Sequence, residues 1–573
     1  MLKLFRYLRP YAAPIAFLLG LIFLSSLSEL YLPTLLASIV DKGIARSDFS
    51  YILRTGALML AVAVGGMACS IISSYYSARV GMGYGRDLRR LVFGHVEGFS
   101  LHEFDKVGTP SLITRTTNDI TQVQNFVMVV MRMMVMAPIM AIGGIIMAVN
   151  VDIHLTWILA VAVPVIALII IAVASRGLPL FRAIQAKIDR INLVVREGLT
   201  GVRVVRAFDR VDHQTERFDD ANQDLTRTSI TVNKLMALLF PLMMLVMNFT
   251  TIAIIWFGAK RINIGEMQVG SLMAFLQYAM QIMFSVLMVS FLFIMLPRAA
   301  ASAGRIQEVL VIQPEITDRP RTRAAEDERG FIEFRNVSFS YPGAEEPAIR
   351  GISFSAGPGE VTAIIGGTGS GKSTIVNLIP RFYDVDSGSI LVDGVDIREL
   401  EQESLRAKLG FVPQRAVLFN DTIAANLRYG KPDATDEEVA RAAETAQAKD
   451  FILEMQDGFS SEIAQGGNNL SGGQKQRLAI ARALVRKPEI YVFDDTFSAL
   501  DFRTDAALRA ALRQETAEAT VIIVAQRVNT IMDADRIIVL EDGEIVGQGK
   551  HRELVRTCEV YREIVSSQLT EEA

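Results

Sequence analysis

The sequence predicts an all-α, six-helix membrane-spanning half fused to a soluble α/β half, and three observations carry that prediction. A chain of 573 residues is too long for one ordinary domain of about 100–200 residues. Hydrophobic residues make up 51% and charged residues only 21%, a balance that leans away from water-soluble enzymes. The text also changes character near residue 310, from long apolar runs to short strand-like segments separated by Gly and Pro. Charge follows the same division: the first 300 residues hold 27 Lys and Arg against 18 Asp and Glu, and the rest hold 31 against 44. The acidic overall balance, with no Lys/Arg-rich block, argues against nucleic acid as a partner. Two cysteines, Cys69 and Cys558, are too few for a disulfide framework or a Cys-based metal site.

Six apolar runs are long enough to cross a bilayer: Ala12–Val40, Gly56–Tyr76, Phe126–Val149, Leu155–Ala174, Leu235–Ala259 and Val269–Leu296. The basic start MLKLFRYLRP leads into a run too long for a signal-peptide core, so an uncleaved first span is expected. Connections alternate between short and long, the long ones being Ser77–Gln124 and Ser175–Lys234. Together with the N-terminus the long connections hold 20 Lys and Arg, whereas the short side holds five. This excess places the long connections and both termini in the cytoplasm, where helical arms of that length reach roughly 30 Å beyond the bilayer. Polar residues inside the spans, Glu29, Asn248, Gln277 and Gln281, read as interhelical hydrogen bonds or as functional groups. Of the 23 methionines 21 precede residue 300, which suits either plain packing or an adaptable apolar cavity. The expected boundaries are 1–305 for the membrane domain, 306–330 for a charged, Pro-containing linker and 331–573 for the α/β domain.

The α/β domain carries the motifs. Strand VTAII runs into Gly366, Gly367, Thr368, Gly369, Ser370, Gly371, Lys372, Ser373 and Thr374, then into the helical IVNLI. In this strand–loop–helix context the run is a phosphate-binding loop. Its glycines let backbone N–H groups face phosphates, Lys372 supplies a cation, and the Ser373 hydroxyl suits Mg²⁺. Downstream, IYVFD is a buried-strand pattern that ends in Asp494, a second Mg²⁺ ligand candidate. Between them lies Leu470-Ser471-Gly472-Gly473-Gln474, followed by the helical KQRLAIARALV.

With these motifs in hand, the chain resembles the ATP-binding cassette (ABC) transporters over essentially its whole length, specifically the exporter-type half-transporters of type IV architecture. The resemblance implies a multi-pass protein of a bacterial inner membrane, with its cassette in the cytoplasm and with ATP and Mg²⁺ as cofactors. It further implies that Tyr341 stacks on adenine, that Gln414 senses Mg²⁺ alongside Ser373 and Asp494, and that one cassette per chain requires a dimer. Ser471, Gly472, Gly473, Gln474 and Asp501 would then face ATP held by the partner. The segments Phe104–Asp119 and Glu197–Arg210 resemble the coupling regions that dock on cassettes.

Two positions depart from the family pattern. Asp495 stands where a water-activating glutamate is usual, one methylene short, and Gln526 replaces the switch histidine. A glutamine can donate to a phosphate but cannot shuttle a proton. The altered groups serve this chain's own ATP, while those offered across the interface are intact. That asymmetry resembles the degenerate-site subunit of bacterial heterodimeric multidrug exporters, whose partner carries the glutamate and histidine, and the resemblance implies lipophilic drugs or other amphipathic compounds as substrate. A homodimeric lipid or peptide flippase, a regulatory or channel-like cassette protein, and an importer of exporter architecture are the alternatives.

Overall fold

The structure, a computed structural model, describes residues 2–318 and 329–569; the middle of the expected linker lies outside the described residues. The chain divides into two compact units, one running up to Glu97 and from Thr109 to Ile312, the other comprising Gly98–Gly108 and Gln313 onward.

The first unit is helical. Its long elements are α1 (Ala12–Ser38) and α2 (Phe49–Glu97); beyond the short α3 (Leu101–Val107), which belongs to the second unit, come α4 (Ile120–Val151) and α5 (Thr156–Thr200). The short α6 (Val202–Ala207) leads to α7 (Val211–Asn263) and α8 (Val269–Val311). Six helices, α1, α2, α4, α5, α7 and α8, are long and apolar enough to cross a membrane, as the sequence predicts. At 1.5 Å per residue, α2, α5 and α7 each extend roughly 70–80 Å, more than twice the hydrocarbon thickness. The long arms expected beyond the bilayer are therefore continuations of the spans, not separate helices. The last helix also runs past residue 305, where the linker was expected to begin, because its apolar and small residues continue to Val311.

Polar side chains clip the helix ends together. Asp41 accepts from the backbone N–H groups of Gly270 (2.6 Å) and Ser271 (3.0 Å), which caps the otherwise orphaned start of α8. Arg261 donates to Asp152 at 2.7 Å, and Arg305 pairs with Asp119. Within the bundle Tyr278 donates to the Leu30 carbonyl (3.0 Å) and shares a hydrogen bond with Thr34 (2.6 Å). Small residues allow close approach: a Cβ on Gly144 would sit 2.7 Å from Ile282.

The second unit holds two sheets. Strands β1 (Ile332–Phe339), β2 (Ile349–Ala356), β4 (Ser387–Val392) and β5 (Val395–Asp396) form an antiparallel sheet in the order β2-β1-β4-β5. The larger sheet is built from β3 (Val361–Gly366), β6 (Leu409–Val412), β7 (Ile490–Asp494), β8 (Thr520–Val524), β9 (Arg536–Glu541) and β10 (Glu544–Gly549), in the order β10-β9-β3-β8-β7-β6. Pairing is parallel from β9 through to β6. Val, Ile and Phe fill β7 and β8, both buried along their length, as strands covered on both faces require. The parallel register brings the C-terminal ends of β3, β7 and β8 side by side, where an open α/β sheet places its ligand.

The short helix α3 packs with this unit although it lies between α2 and α4 in sequence. Ser100 caps it and, in the reciprocal bond, donates its backbone N–H to the Glu103 carboxylate. The second Glu103 oxygen accepts from the backbone N–H of Glu315 at 3.1 Å. Tyr383 donates to Asp105 at 3.2 Å. The region expected at Phe104–Asp119 is thus split: α3 belongs to the cassette unit, and the residues from Thr109 belong to the helical unit.

Candidate nucleotide site

The phosphate loop joins β3 to α9 (Lys372–Leu378). Gly371 adopts φ +94°, and a Cβ there would meet Ile349 at 2.6 Å; a Cβ on Gly366 would lie 2.2 Å from the Leu540 carbonyl oxygen. Only glycine allows that fold of the loop. Lys372 is buried and turns back so that its Nζ donates to the carbonyls of Gly366 (2.9 Å) and Gly367 (2.6 Å). Burial pushes its pKa down, and the charges of Asp495 and Asp494 oppose that shift. A buried cation whose partners are loop carbonyls, beside a side-chain-free turn, suits a multiply charged anion.

Ser373 donates to Asp494 at 3.1 Å. A hydroxyl and a carboxylate so close are the hard-oxygen donor pair that Mg²⁺ prefers. Burial raises the Asp494 pKa, against the hydrogen bond from Ser373 and the charge of Lys372. Tyr341 lies beside the loop: its hydroxyl shares a 3.2 Å hydrogen bond with Thr374, and its ring meets Tyr383 edge-on.

Asp495 follows in the left-handed region at φ +45°, held by its N–H to the Val524 carbonyl (3.0 Å) and by Ser498, which donates to its carbonyl (2.9 Å). One carboxylate oxygen, Oδ2, accepts from Gln526 at 2.8 Å and from Gln414 at 3.2 Å. Burial raises the Asp495 pKa, and the bonds from Gln414 and Ser498 oppose that. Gln414, expected beside Ser373 and Asp494, thus spends its amide on Asp495.

The remaining residues form a second cluster. Ser471 caps α10 (Gly472–Arg486) in a reciprocal box with Gln474. Ser471 and Gly472 are exposed, so the helix start presents its N–H groups outward. A Cβ on Gly473 would sit 3.2 Å from the Ala499 carbonyl oxygen, which seats this helix on the segment that ends in Asp501. The Asp501 side chain caps α11 (Phe502–Glu515) through Thr504 N–H at 3.0 Å. No hydrogen bond among the described residues joins Ser471–Gln474 to the phosphate loop. Sequence reasoning missed Tyr383 and Glu103, although the Ser100-x-x-Glu103 spacing signals a capping box, and gave Asp105 no role of its own within Phe104–Asp119; the Glu103–Glu315 and Tyr383–Asp105 contacts arise only through the fold.

Comparison with known proteins agrees with this geometry. Residues 15–286 match the ABC transporter transmembrane region, and residues 349–498 match the ABC transporter family. An uncharacterized ABC transporter ATP-binding protein of Mycobacterium tuberculosis is 46% identical over 98% of this chain and 97% of its own length. An ATP-dependent lipid A-core flippase of Desulfotalea psychrophila is 35% identical over 86% of this chain and 85% of its own. The structure of a bacterial Atm1-family ABC exporter with ATP bound superposes with a TM-score of 0.80 at 27% identity, covering 97% of this chain and 98% of that one. Six apolar helices, a phosphate loop at the C-terminal end of a parallel sheet and a signature helix with an exposed start therefore have one explanation: the chain belongs to the ABC transporter family, as an exporter in which transmembrane and ATP-binding domains are fused.

Proposed function

We propose that this exporter chain is one half of a heterodimer in a bacterial inner membrane, moving amphipathic compounds, and that its own ATP site retains nucleotide and hydrolyses it slowly. The observation that carries the reading is the double clamp on Asp495, whose Oδ2 takes both Gln526 and Gln414 amides. A carboxylate so engaged is a poor acceptor for a proton from water, and the glutamines beside it have no proton to shuttle. Losing a positioned base lowers a rate by about 10²–10⁴.

The binding groups are complete by contrast. Lys372 and the loop N–H groups hold the phosphates, Tyr341 flanks the base, and Ser373 with Asp494 holds Mg²⁺. The metal would neutralise charge on the phosphate oxygens. Ser471 and Gly472, which are exposed, with the half-buried Gly473 and Gln474, none of them bonded to their own phosphate loop, would complete the partner's site, where hydrolysis resets the cycle. The split of α3 onto the cassette supports transmission of cassette closure to the spans through Asp105 and Tyr383. The relative named as an ATP-dependent lipid A-core flippase supports an amphipathic substrate, and favours lipid flipping as the second reading.

The test is ATP binding and ATP turnover by the purified chain in lipid nanodiscs, with Asp495→Glu/Gln526→His alongside. Tight binding with almost no turnover, and a gain of about 10²-fold or more in the double variant, is the expected outcome. Rapid turnover by the unaltered chain would replace the heterodimer with the homodimer.

A further inference from the structure

The helical unit carries two charges inside its apolar spans. Glu29 lies in the middle of α1 and Arg132 within α4, and both are exposed on the surface of the unit. A charge turned towards lipid is costly, so intramembrane charges face protein or water-filled cavities. Helices α1 and α4 pack against each other, yet no ion pair among the described residues joins the two charges. Gln281 of α8 donates its amide to the backbone carbonyl of Glu29 at 3.2 Å, and its own side-chain oxygen is buried without a partner. A buried acceptor left unpaired is unfavourable until a donor arrives. The adjoining cavity of about 460 Å³ is lined by Thr251, Leu276, Gln277, Met280 and Gln281. An acid, a base, an orphaned acceptor and an apolar wall thus share one region of α1, α4, α7 and α8.

We infer that this region is a subsite for an amphiphile with a zwitterionic head group. The inference rests on the exporter reading and names its substrate class. Glu29 and the Gln281 oxygen receive the cationic end, Arg132 receives a phosphate or carboxylate, and the tail lies along Leu276 and Met280. A head group with both charges leaves neither Glu29 nor Arg132 uncompensated in a low dielectric, which a singly charged or neutral one does.

The experiment titrates the full chain, in nanodiscs of phosphatidylglycerol, with fluorescent short-chain amphiphiles of identical tail, using empty nanodiscs as the partition reference. The heads are phosphoethanolamine, carboxybetaine, phosphoglycerol and trimethylammonium. At least one zwitterionic probe is expected to bind about tenfold or more tightly than either singly charged one. Glu29→Gln should erase its advantage over the anionic probe, and Arg132→Gln its advantage over the cationic one. Preference for phosphoethanolamine, whose ammonium can donate to the Gln281 oxygen, upholds the subsite; preference for betaine, whose quaternary nitrogen carries no N–H, upholds the Glu29 and Arg132 roles and removes Gln281 from the subsite. Equal binding of all heads, or variants that weaken every probe alike, overturns it. ATP binding measured on the same sample separates the two levels: if it persists while head-group preference is absent, the subsite falls and the exporter reading stands.

Discussion

Asp494 and Asp495 are adjacent, both buried, and burial raises both pKa values above the usual carboxylate range. A carboxyl raised by folding is favoured in its protonated form. Its contribution to stability is fully present below the unfolded value near 4 and is lost as pH rises through the folded one. Asp494→Asn should therefore stabilise the nucleotide-free chain at neutral pH, raising the thermal midpoint by about 2–4 °C, with the gain shrinking as pH falls towards 4. The same change should abolish Mg²⁺-dependent nucleotide binding. An unchanged midpoint at pH 7.5 would mean that burial is not what holds this carboxyl. Residues 366–374 were legible in the sequence because a phosphate loop is local, its spacing fixed by one turn. The clamp on Asp495 was not, since Gln414, Asp495 and Gln526 follow β6, β7 and β8 and meet only when those strands pair. Arg132 escaped notice for another reason, standing alone among methionines in an otherwise apolar run.

Short helices carry the connections between motifs, and their caps are exposed to test. Ser471 is the cap of α10 and, in the proposed dimer, the first residue offered to the partner. Ser471→Ala should cost about 1 kcal/mol from the lost cap, readable as a lower denaturation midpoint, while ATP binding at this chain's own phosphate loop stays intact. Loss of that binding would show that the signature helix supports the loop within one chain. Helix α3 depends on Glu103 in the same way. Burial works to raise its pKa, but the Ser100 hydroxyl and the backbone N–H groups of Ser100 and Glu315 outweigh it and hold the carboxyl below its usual value. A lowered carboxyl stabilises above its unfolded value and loses that contribution as pH falls through the folded one. Hydrogen exchange in residues 98–108 and 313–318, corrected for intrinsic rates, should therefore lose protection below about pH 4. Glu103→Ala should expose the same segments at neutral pH. Six spans and an α/β cassette were readable as elements because hydrophobic period and length are properties of single segments. The attachment of α3 was not, because its partners Glu315 and Tyr383 are more than 200 positions away.

At the scale of the whole molecule, the fused architecture sets what nucleotide can do. A ligand that binds only the folded chain stabilises it in proportion to its occupancy, by about 2.7 kcal/mol at a free concentration 100 times the dissociation constant. In a chain whose site retains nucleotide, that stabilisation must outlast the seconds of an ordinary turnover. Adding Mg²⁺ and a small molar excess of ATP to the chain alone should thus raise its unfolding temperature, and the rise should hold over an hour of incubation. In the Asp495→Glu/Gln526→His chain the same initial rise should decay as ATP is consumed, leaving the smaller shift produced by ADP. Chelating Mg²⁺ should reduce the rise in both, because Ser373 and Asp494 would then face the phosphates without a cation between them. If the shift in the unaltered chain decays as fast as in the double variant, Asp495 and Gln526 do not impede hydrolysis. The homodimer, in which both sites turn over, would then replace the heterodimer.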